Sequence, residues 1–267
     1  MVAQKAALRG RHDLGEIVGY GYRIYLKHFG VLFAVALLTV PVEMLSGVVR
    51  GMVNEDAAQA VNTLFQIPLA LVGIIAASAI IFAVHEVTGG AAPSFGRSLD
   101  AVFERMAAVF GSLFLGAGLA VLAVFAFPFL GPYWLIKRDA NIDGQRAPWM
   151  WLVPFALVVY LVLRWSMVQQ AVMIDGKQNW SALDASADAV RGAWWRVLGI
   201  GLVISLIQAG PVLLAGAAVL LPPLAAATIG GLALALVLPF QSAAQTLLYY
   251  DLKARKQTYA DDFVSVD

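Results

Sequence analysis

Six apolar segments long enough to cross a membrane constrain the fold of this chain more than any other feature of its sequence. A helix rises 1.5 Å per residue, so about 20 apolar residues cross the hydrocarbon core of a bilayer. With 61% hydrophobic and only 13% charged residues, the chain is too apolar for an ordinary soluble domain. We therefore predict an all-α integral membrane protein with six transmembrane helices. They are expected at Phe29–Val49, Thr63–Val87, Ala107–Leu130, Trp149–Met173, Val197–Leu221 and Leu224–Tyr249.

An internal repeat groups these segments in pairs. The amphipathic stretch Leu14–Phe33 leads into the first segment, and the same design returns 81 residues later at Phe95–Phe114. A looser third copy begins at Trp180–Leu202, where Leu183–Ala185 matches Leu99–Ala101. Self-similarity at a fixed period is a strong indicator of architecture. The sequence therefore predicts three pseudo-repeats.

Each repeat is predicted to contain one amphipathic interfacial helix followed by a transmembrane hairpin. The repeats cover roughly residues 13–88, 94–175 and 179–252 of a single membrane domain, 1–267, with a polar C-terminal tail at 253–267. Because every hairpin starts and ends on the same side, the three repeats are parallel rather than inverted. The interfacial helices are expected near Leu14–Lys27, Phe95–Met106 and Trp180–Trp195.

The distribution of Lys and Arg predicts the orientation. With the N-terminus inside, thirteen of these residues lie on the inner side and four on the outer side, while Arg164 stands within a span. Cytoplasmic loops carry the excess of Lys and Arg, so both termini are expected in the cytoplasm and Arg138 outside.

Composition and motifs argue against several function classes. The net charge of +1 lacks the basic footprint of a nucleic-acid-binding domain. The absence of cysteine removes thiolate metal sites and cysteine nucleophiles. The histidines, His12, His28 and His85, lack zinc-site spacing, and no glycine-rich phosphate loop is present. We therefore expect no metal, no cofactor and no enzymatic activity. A membrane-embedded hydrolase or transferase would have only His85, Glu86 and Arg164 to support it.

Polar side chains within the predicted spans form a candidate ligand layer. Arg164 is the strongest single candidate, because a charge inside a span faces the bundle or a wet cavity by default. The alternative is that Arg164 extends to the interface. Aligning the repeats places His85, Gln169 and Gln245 at one equivalent position, which favours either interhelical hydrogen bonds or an inner-leaflet polar pocket. The full set is Arg164, His85, Glu86, Gln169, Gln170, Gln241 and Gln245.

Two stretches carry a resemblance to a known family. Gln241–Gln257 (QSAAQTLLYYDLKARKQ) resembles the end of bacterial membrane proteins named after the membrane domain of glycerophosphoryl diester phosphodiesterase. Arg164, the acidic turn Asp175–Gly176 and Trp194–Arg196 resemble the middle of the same proteins. The resemblance implies a six-helix module in the inner membrane of a bacterium. It does not imply phosphodiesterase activity, because that chemistry resides in a separate soluble barrel for which this chain has no room.

Two functions are consistent with these patterns. The first is a non-enzymatic accessory or organising subunit, or scaffold, whose cytoplasmic face binds anionic lipid head groups, a membrane-protein partner or a second copy of itself. The second is a transporter or lipid-handling protein that uses the inner-leaflet polar layer. Parallel repeats weaken the transporter hypothesis, since inverted repeats are frequent among alternating-access carriers. A continuous hydrated cavity would favour the second function, and a filled bundle would favour the first.

Overall fold

The computed structural model describes residues 12–130, 149–217 and 220–264, and all regular secondary structure within these ranges is helical. A short 3₁₀ turn, Leu37–Thr39, joins the second and third helices. In chain order the helices are α1 (Leu14–Lys27), α2 (Phe29–Ala36), α3 (Val40–Met52), α4 (Glu55–Thr88), α5 (Phe95–Glu104), α6 (Met106–Leu130), α7 (Trp149–Arg164), α8 (Val168–Asp175), α9 (Asn179–Val190), α10 (Trp194–Ala217) and α11 (Pro223–Val264).

Five helical stretches in the described ranges are long and apolar enough to cross a membrane. A sixth candidate arises where α9 meets α10 at a bend of 97°. The prediction of a multi-helix, apolar, membrane-type architecture is therefore confirmed. The five stretches are Phe29–Met52, Ala57–Thr88, Met106–Ala123, Phe155–Asp175 and Pro223–Gln257.

The outer faces of several helices carry exposed apolar side chains. Phe114 on α6, Phe155 on α7 and Leu206 on α10 each expose about two-thirds of their surface. Such continuous apolar exposure is unfavourable in water but matches a hydrocarbon surrounding. The bundle is thus built to present its sides to lipid.

Helix α11 is the central packing element. It contacts α1, α2, α3, α4 and α10 along its length. Small residues allow this close approach: a Cβ added to Gly21 of α1 would lie 3.4 Å from the backbone of Ala244. A Cβ on Gly47 of α3 would lie 2.6 Å from the Cβ of Ala227. Gly47 therefore brings α3 to α11 at a distance that a larger residue would not permit, whereas a Cβ on Gly21 would be in ordinary van der Waals contact with α11.

Three short helices, α1, α5 and α9, surround one end of the bundle, and we call them the collar. Each packs against the last helix of a hairpin: α1 against α11, α5 against α4, and α9 against α8. They begin at Leu14, Phe95 and Asn179, positions that the sequence alignment treats as equivalent. The equivalent residues one turn further on are all fully buried: Ile17, Ser98 and Ala182.

The structure departs from the predicted continuous elements at two breaks. The third amphipathic helix was expected to reach Trp195, but α9 ends at Val190 because Gly192 adopts a left-handed φ of 81°. The fourth span, expected as one helix, turns between Arg164 and Val168. There the hydroxyl of Ser186 donates to the carbonyl of Arg164 and accepts the N–H of Met167, which satisfies the interrupted helical hydrogen bonds.

The polar C-terminal tail predicted at 253–267 is helical in the part that the structure describes. Helix α11 continues without a break to Val264 and includes most of that tail. At 1.5 Å per residue such a helix is about 60 Å long, roughly twice the hydrocarbon thickness. The helix is therefore longer than a single crossing of the hydrocarbon core requires.

Candidate functional site

A fully buried carboxylate, Asp251 on α11, organises the collar end. It accepts hydrogen bonds from the backbone N–H of His12 (2.8 Å), Nε of Arg196 (2.7 Å) and Nε of Arg255 (3.0 Å). Both guanidinium groups also donate to the carbonyl of His12. Charge-assisted bonds of this kind are about twice as strong as neutral ones. Asp251 thus ties the N-terminal segment, α10 and α11 together.

A second carboxylate, Asp175 at the end of α8, forms a similar centre. The hydroxyl of Tyr249 donates to it at 2.6 Å, and Nζ of Lys253 lies 2.8 Å away. The guanidinium of Arg105, between α5 and α6, donates to the carbonyl of Met173 nearby. These contacts join α8 to α11 and to the junction between α5 and α6. Sequence reasoning did not assign Asp175 or Asp251 to a site; both residues lie in the stretches that carry the family resemblance. A lone carboxylate at the end of an apolar span, with a cation nearby in the sequence, is the signal that could have identified both centres.

The predicted polar layer is divided among separate helix pairs. The side-chain amide of Gln170 on α8 donates to Gln245 on α11 at 3.5 Å, so these two residues do come together. The ring of His85 on α4 bonds the hydroxyl of Tyr250 on α11. Gln169 is half-buried on α8. The side-chain oxygen of Gln170, Oε1, is buried and has no hydrogen-bond partner among the described residues.

Two further members of the layer also bond to neighbouring elements. Glu86 forms an ion pair with Arg97 of α5 at 2.9 Å. Gln241 on α11 accepts a hydrogen bond from the side chain of Gln208 on α10. Interhelical bonds of this type stabilise membrane helix association by about 1 kcal/mol. The described contacts of Glu86 and Gln241 thus join helices within the bundle.

Arg164 lies apart from this layer. It is the last residue of α7, and the turn that follows separates it from Gln169 and Gln170 on α8. Its guanidinium donates to the hydroxyl of Tyr160 at 2.8 Å. Its backbone carbonyl is held by Ser186 of the collar helix α9. Arg164 therefore lies beside the collar helix α9, apart from Gln169 and Gln170.

Two open basic pockets flank the bend between α9 and α10 and share lining residues, and we call the two together the Gly192 groove. Its larger part, about 610 Å³, lies between this bend and α11. Its smaller part, about 340 Å³, lies between the bend and α7. Arg191 and Gly192 line both parts. The other cationic side chains that line it are Arg164, Arg196, Arg255 and Lys256.

The first collar helix carries two groups with displaced ionisation. Burial, reinforced by the nearby Lys27, lowers the pKa of His28 below its usual range. Burial, followed by the neighbouring Tyr22, raises the pKa of Tyr25. Both shifts favour the neutral side chain at pH 7. The positive charge of this part of the collar therefore comes from Arg23 and Lys27.

A third cavity lies within the bundle away from the collar. It has a volume of about 190 Å³ and its wall is mostly apolar, with the bonded pair Gln208 and Gln241 on one side. Ligand pockets for small molecules usually span about 300–1,000 Å³. The cavity is thus smaller than an ordinary solute site. Within the described ranges no cluster of three or more His, Asp or Glu residues could hold a metal ion.

Comparison with known proteins does not assign the chain to a group. No family model matches the sequence, and neither a curated protein nor a solved structure matches it significantly. The resemblance noted from Gln241–Gln257 and the middle of the chain remains a prediction.

Proposed function

We propose that the chain is a non-enzymatic accessory or organising protein of a bacterial inner membrane, whose collar binds anionic lipid head groups on the cytoplasmic side. The observation that carries this proposal is the surface of the collar. It combines exposed aromatic side chains with Arg and Lys, which is the composition of helices that lie in a membrane interface. The exposed aromatic residues are Tyr22, Phe103 and Trp180 on the collar helices, with Trp195 close by at the start of α10.

The proposal includes three like-oriented units with both termini in the cytoplasm. The matching starts of α1, α5 and α9 support it, as does the packing of each collar helix on the end of a hairpin. The described cations also favour it: the collar end holds Arg23, Arg97, Arg191 and Lys253 among others, whereas the opposite end holds Arg50. Arg138 and both terminal residues lie outside the described residues.

The bonding of the polar layer favours a scaffold over a transporter. His85, Glu86, Gln170 and Gln241 each bond a side chain of another helix. A transport pathway would instead need polar groups that face a continuous wet cavity. Bonds between helices are instead typical of a filled bundle, in which polar side chains hold the helices together.

A lipid-handling protein is the second candidate, and one observation favours it. The cavity beside Gln208 and Gln241 has an apolar wall within the membrane-type part of the bundle. At about 190 Å³ it could hold a segment of an acyl chain but not a whole lipid, since ligand pockets normally exceed about 300 Å³. We therefore rank this function below the first.

The composition of the lipids that co-purify with the protein tests the proposal. The full chain is extracted in mild detergent, and its bound phospholipids are compared with those of the bulk membrane by mass spectrometry. We expect anionic phospholipids to be enriched, and the enrichment to fall as salt is raised, because exposed charges are screened. Bound lipid with the bulk composition at every salt concentration would contradict the proposal.

A further inference from the structure

We propose that the Gly192 groove is a specific site for the phosphate of an anionic phospholipid, whose acyl chains lie along the exposed faces of α7 and α10. The inference deepens the proposed function and rests on it, because it requires the collar to lie at a membrane surface. It differs from a general attraction of the collar for negative membranes. The cations of this one groove would bind the phosphate group directly.

The groove carries a net positive charge that an anionic ligand could neutralise. Five cationic side chains line its two parts. Two carboxylates contact them: Asp251 bonds Arg196 and Arg255, and Asp188 pairs with Arg191 at 3.0 Å. The Asp188–Arg191 pair is mostly exposed, so its attraction is weak and easily replaced. The groove thus has more positive than negative charge, and a phosphate group would neutralise part of the excess.

Two of the cations are especially suited to a phosphate. Arg164 has no carboxylate within 4.0 Å among the described residues, and its only described side-chain bond is to Tyr160. Arg191 lines both parts of the groove and stands three-quarters exposed. A guanidinium group binds phosphate oxygens in bidentate fashion, with both geometry and charge matched. Their shared groove therefore brings two such groups to one ligand.

The apolar surroundings indicate a lipid rather than a free phosphate ion. The smaller part of the groove is lined by Tyr160 and Trp194. The helices that carry these two residues, α7 and α10, also expose apolar side chains, among them Val162 and Leu202. A soluble phosphate gains nothing from these surfaces, whereas acyl chains attached to the phosphate would cover them. Trp195, which is 77% exposed at the edge of the larger part, fits the interfacial position that tryptophan prefers.

The test compares variants that remove charge inside and outside the groove. The full chain is placed in nanodiscs of phosphatidylcholine with a small fraction of phosphatidylglycerol, and bound phosphatidylglycerol is quantified by native mass spectrometry. Arg164→Gln and Arg191→Gln should each reduce the bound fraction about fivefold, the equivalent of about 1 kcal/mol per cation. Arg23→Gln is the matched control, because Arg23 is an exposed collar arginine outside the groove.

The outcomes separate the site from the proposed function. Equal losses for Arg23→Gln and the groove variants would overturn the specific site while leaving an anionic-lipid-binding collar. No preference of the wild-type protein for phosphatidylglycerol would overturn both. Displacement of the lipid by millimolar glycerol 3-phosphate would show that the phosphate alone is recognised, and would overturn the lipid assignment. Arg191→Lys, which keeps the charge but loses the fork, should bind less than wild type and more than Arg191→Gln.

Discussion

A single buried carboxylate, Asp251, joins His12 to α10 and α11. Asp251 has no exposed surface, yet its two oxygens receive bonds from His12, Arg196 and Arg255. Two cations around one anion leave the cluster positive, which suits a position close to lipid phosphates. Removing the carboxylate charge would leave both guanidinium groups facing each other without compensation. The stability of the collar end therefore depends strongly on this residue.

We predict that Asp251→Asn destabilises the protein substantially. Breaking a buried ion pair by removal of one partner costs about 3–5 kcal/mol, because the remaining charge stays uncompensated. The melting temperature in detergent should therefore fall clearly below that of the wild type. Asp188→Asn is the control: its ion pair with Arg191 is exposed, and such pairs contribute about 0–1 kcal/mol. Similar melting temperatures for the two variants would show that Asp251 is not a structural centre.

At the scale of elements, small residues decide how closely the helices pack. Gly47 allows α3 to lie against the start of α11, where an added Cβ would come within 2.8 Å of the carbonyl of Pro223. Backbone atoms at that distance cannot move aside without shifting a helix. Gly51, one turn further along the same helix, has open space around it. The two glycines provide a matched pair for testing this packing.

We predict opposite effects for alanine at these two positions. Gly47→Ala should lower stability by about 1–3 kcal/mol, the usual cost of overpacking a close contact. Gly51→Ala should leave stability unchanged or raise it slightly, because alanine favours the helix over glycine by about 1 kcal/mol at most. Thermal melting of both variants in one detergent measures the difference. A Gly47→Ala variant as stable as Gly51→Ala would contradict the observed approach of α3 to α11.

The bend between α9 and α10 depends on the backbone of Gly192. Its φ of 81° lies in the left-handed region, where a Cβ costs about 1–2 kcal/mol and asparagine is tolerated better than alanine. Gly192→Ala should therefore destabilise the protein more than Gly192→Asn, as measured by melting temperature. Equal stability of the two variants would indicate that the bend does not need the left-handed conformation.

The sequence predicted the spans better than their interruptions. Long apolar runs identify membrane helices because the bilayer sets a fixed length requirement. Both breaks depend on contacts that are distant in sequence or on one backbone angle. The turn after Arg164 is stabilised by Ser186, a residue of the next collar helix, and that contact leaves no trace in hydropathy. The apolar pattern of α1 likewise could not separate buried Ile17 from exposed Tyr22.

At the scale of the whole molecule, the candidate residues were only partly placed by sequence reasoning. Aligning the repeats gave His85, Gln169 and Gln245 equivalent positions, and the structure brings Gln245 to Gln170. Sequence reasoning could not predict the hydrogen bond between Tyr250 and His85, because an apolar pattern gives no information about the partner of a tyrosine hydroxyl. The Gly192 groove also escaped detection. Its cations come from α7, the α9–α10 bend and α11, which only the folded bundle brings together.

The orientation of the whole molecule gives the last prediction. The chain contains no cysteine, so single cysteines can be introduced as unique labels. Met52 stands 78% exposed at the end of α3, about 35 Å along the helical path from the collar. Gln257 is exposed near the other end of the bundle, beyond Arg255 on α11. If the basic collar faces the cytoplasm, a membrane-impermeant maleimide should modify Met52→Cys in intact cells. Gln257→Cys should react only after the cells are lysed. Modification of Gln257→Cys in intact cells, with Met52→Cys protected until lysis, would reverse the orientation and place the collar outside.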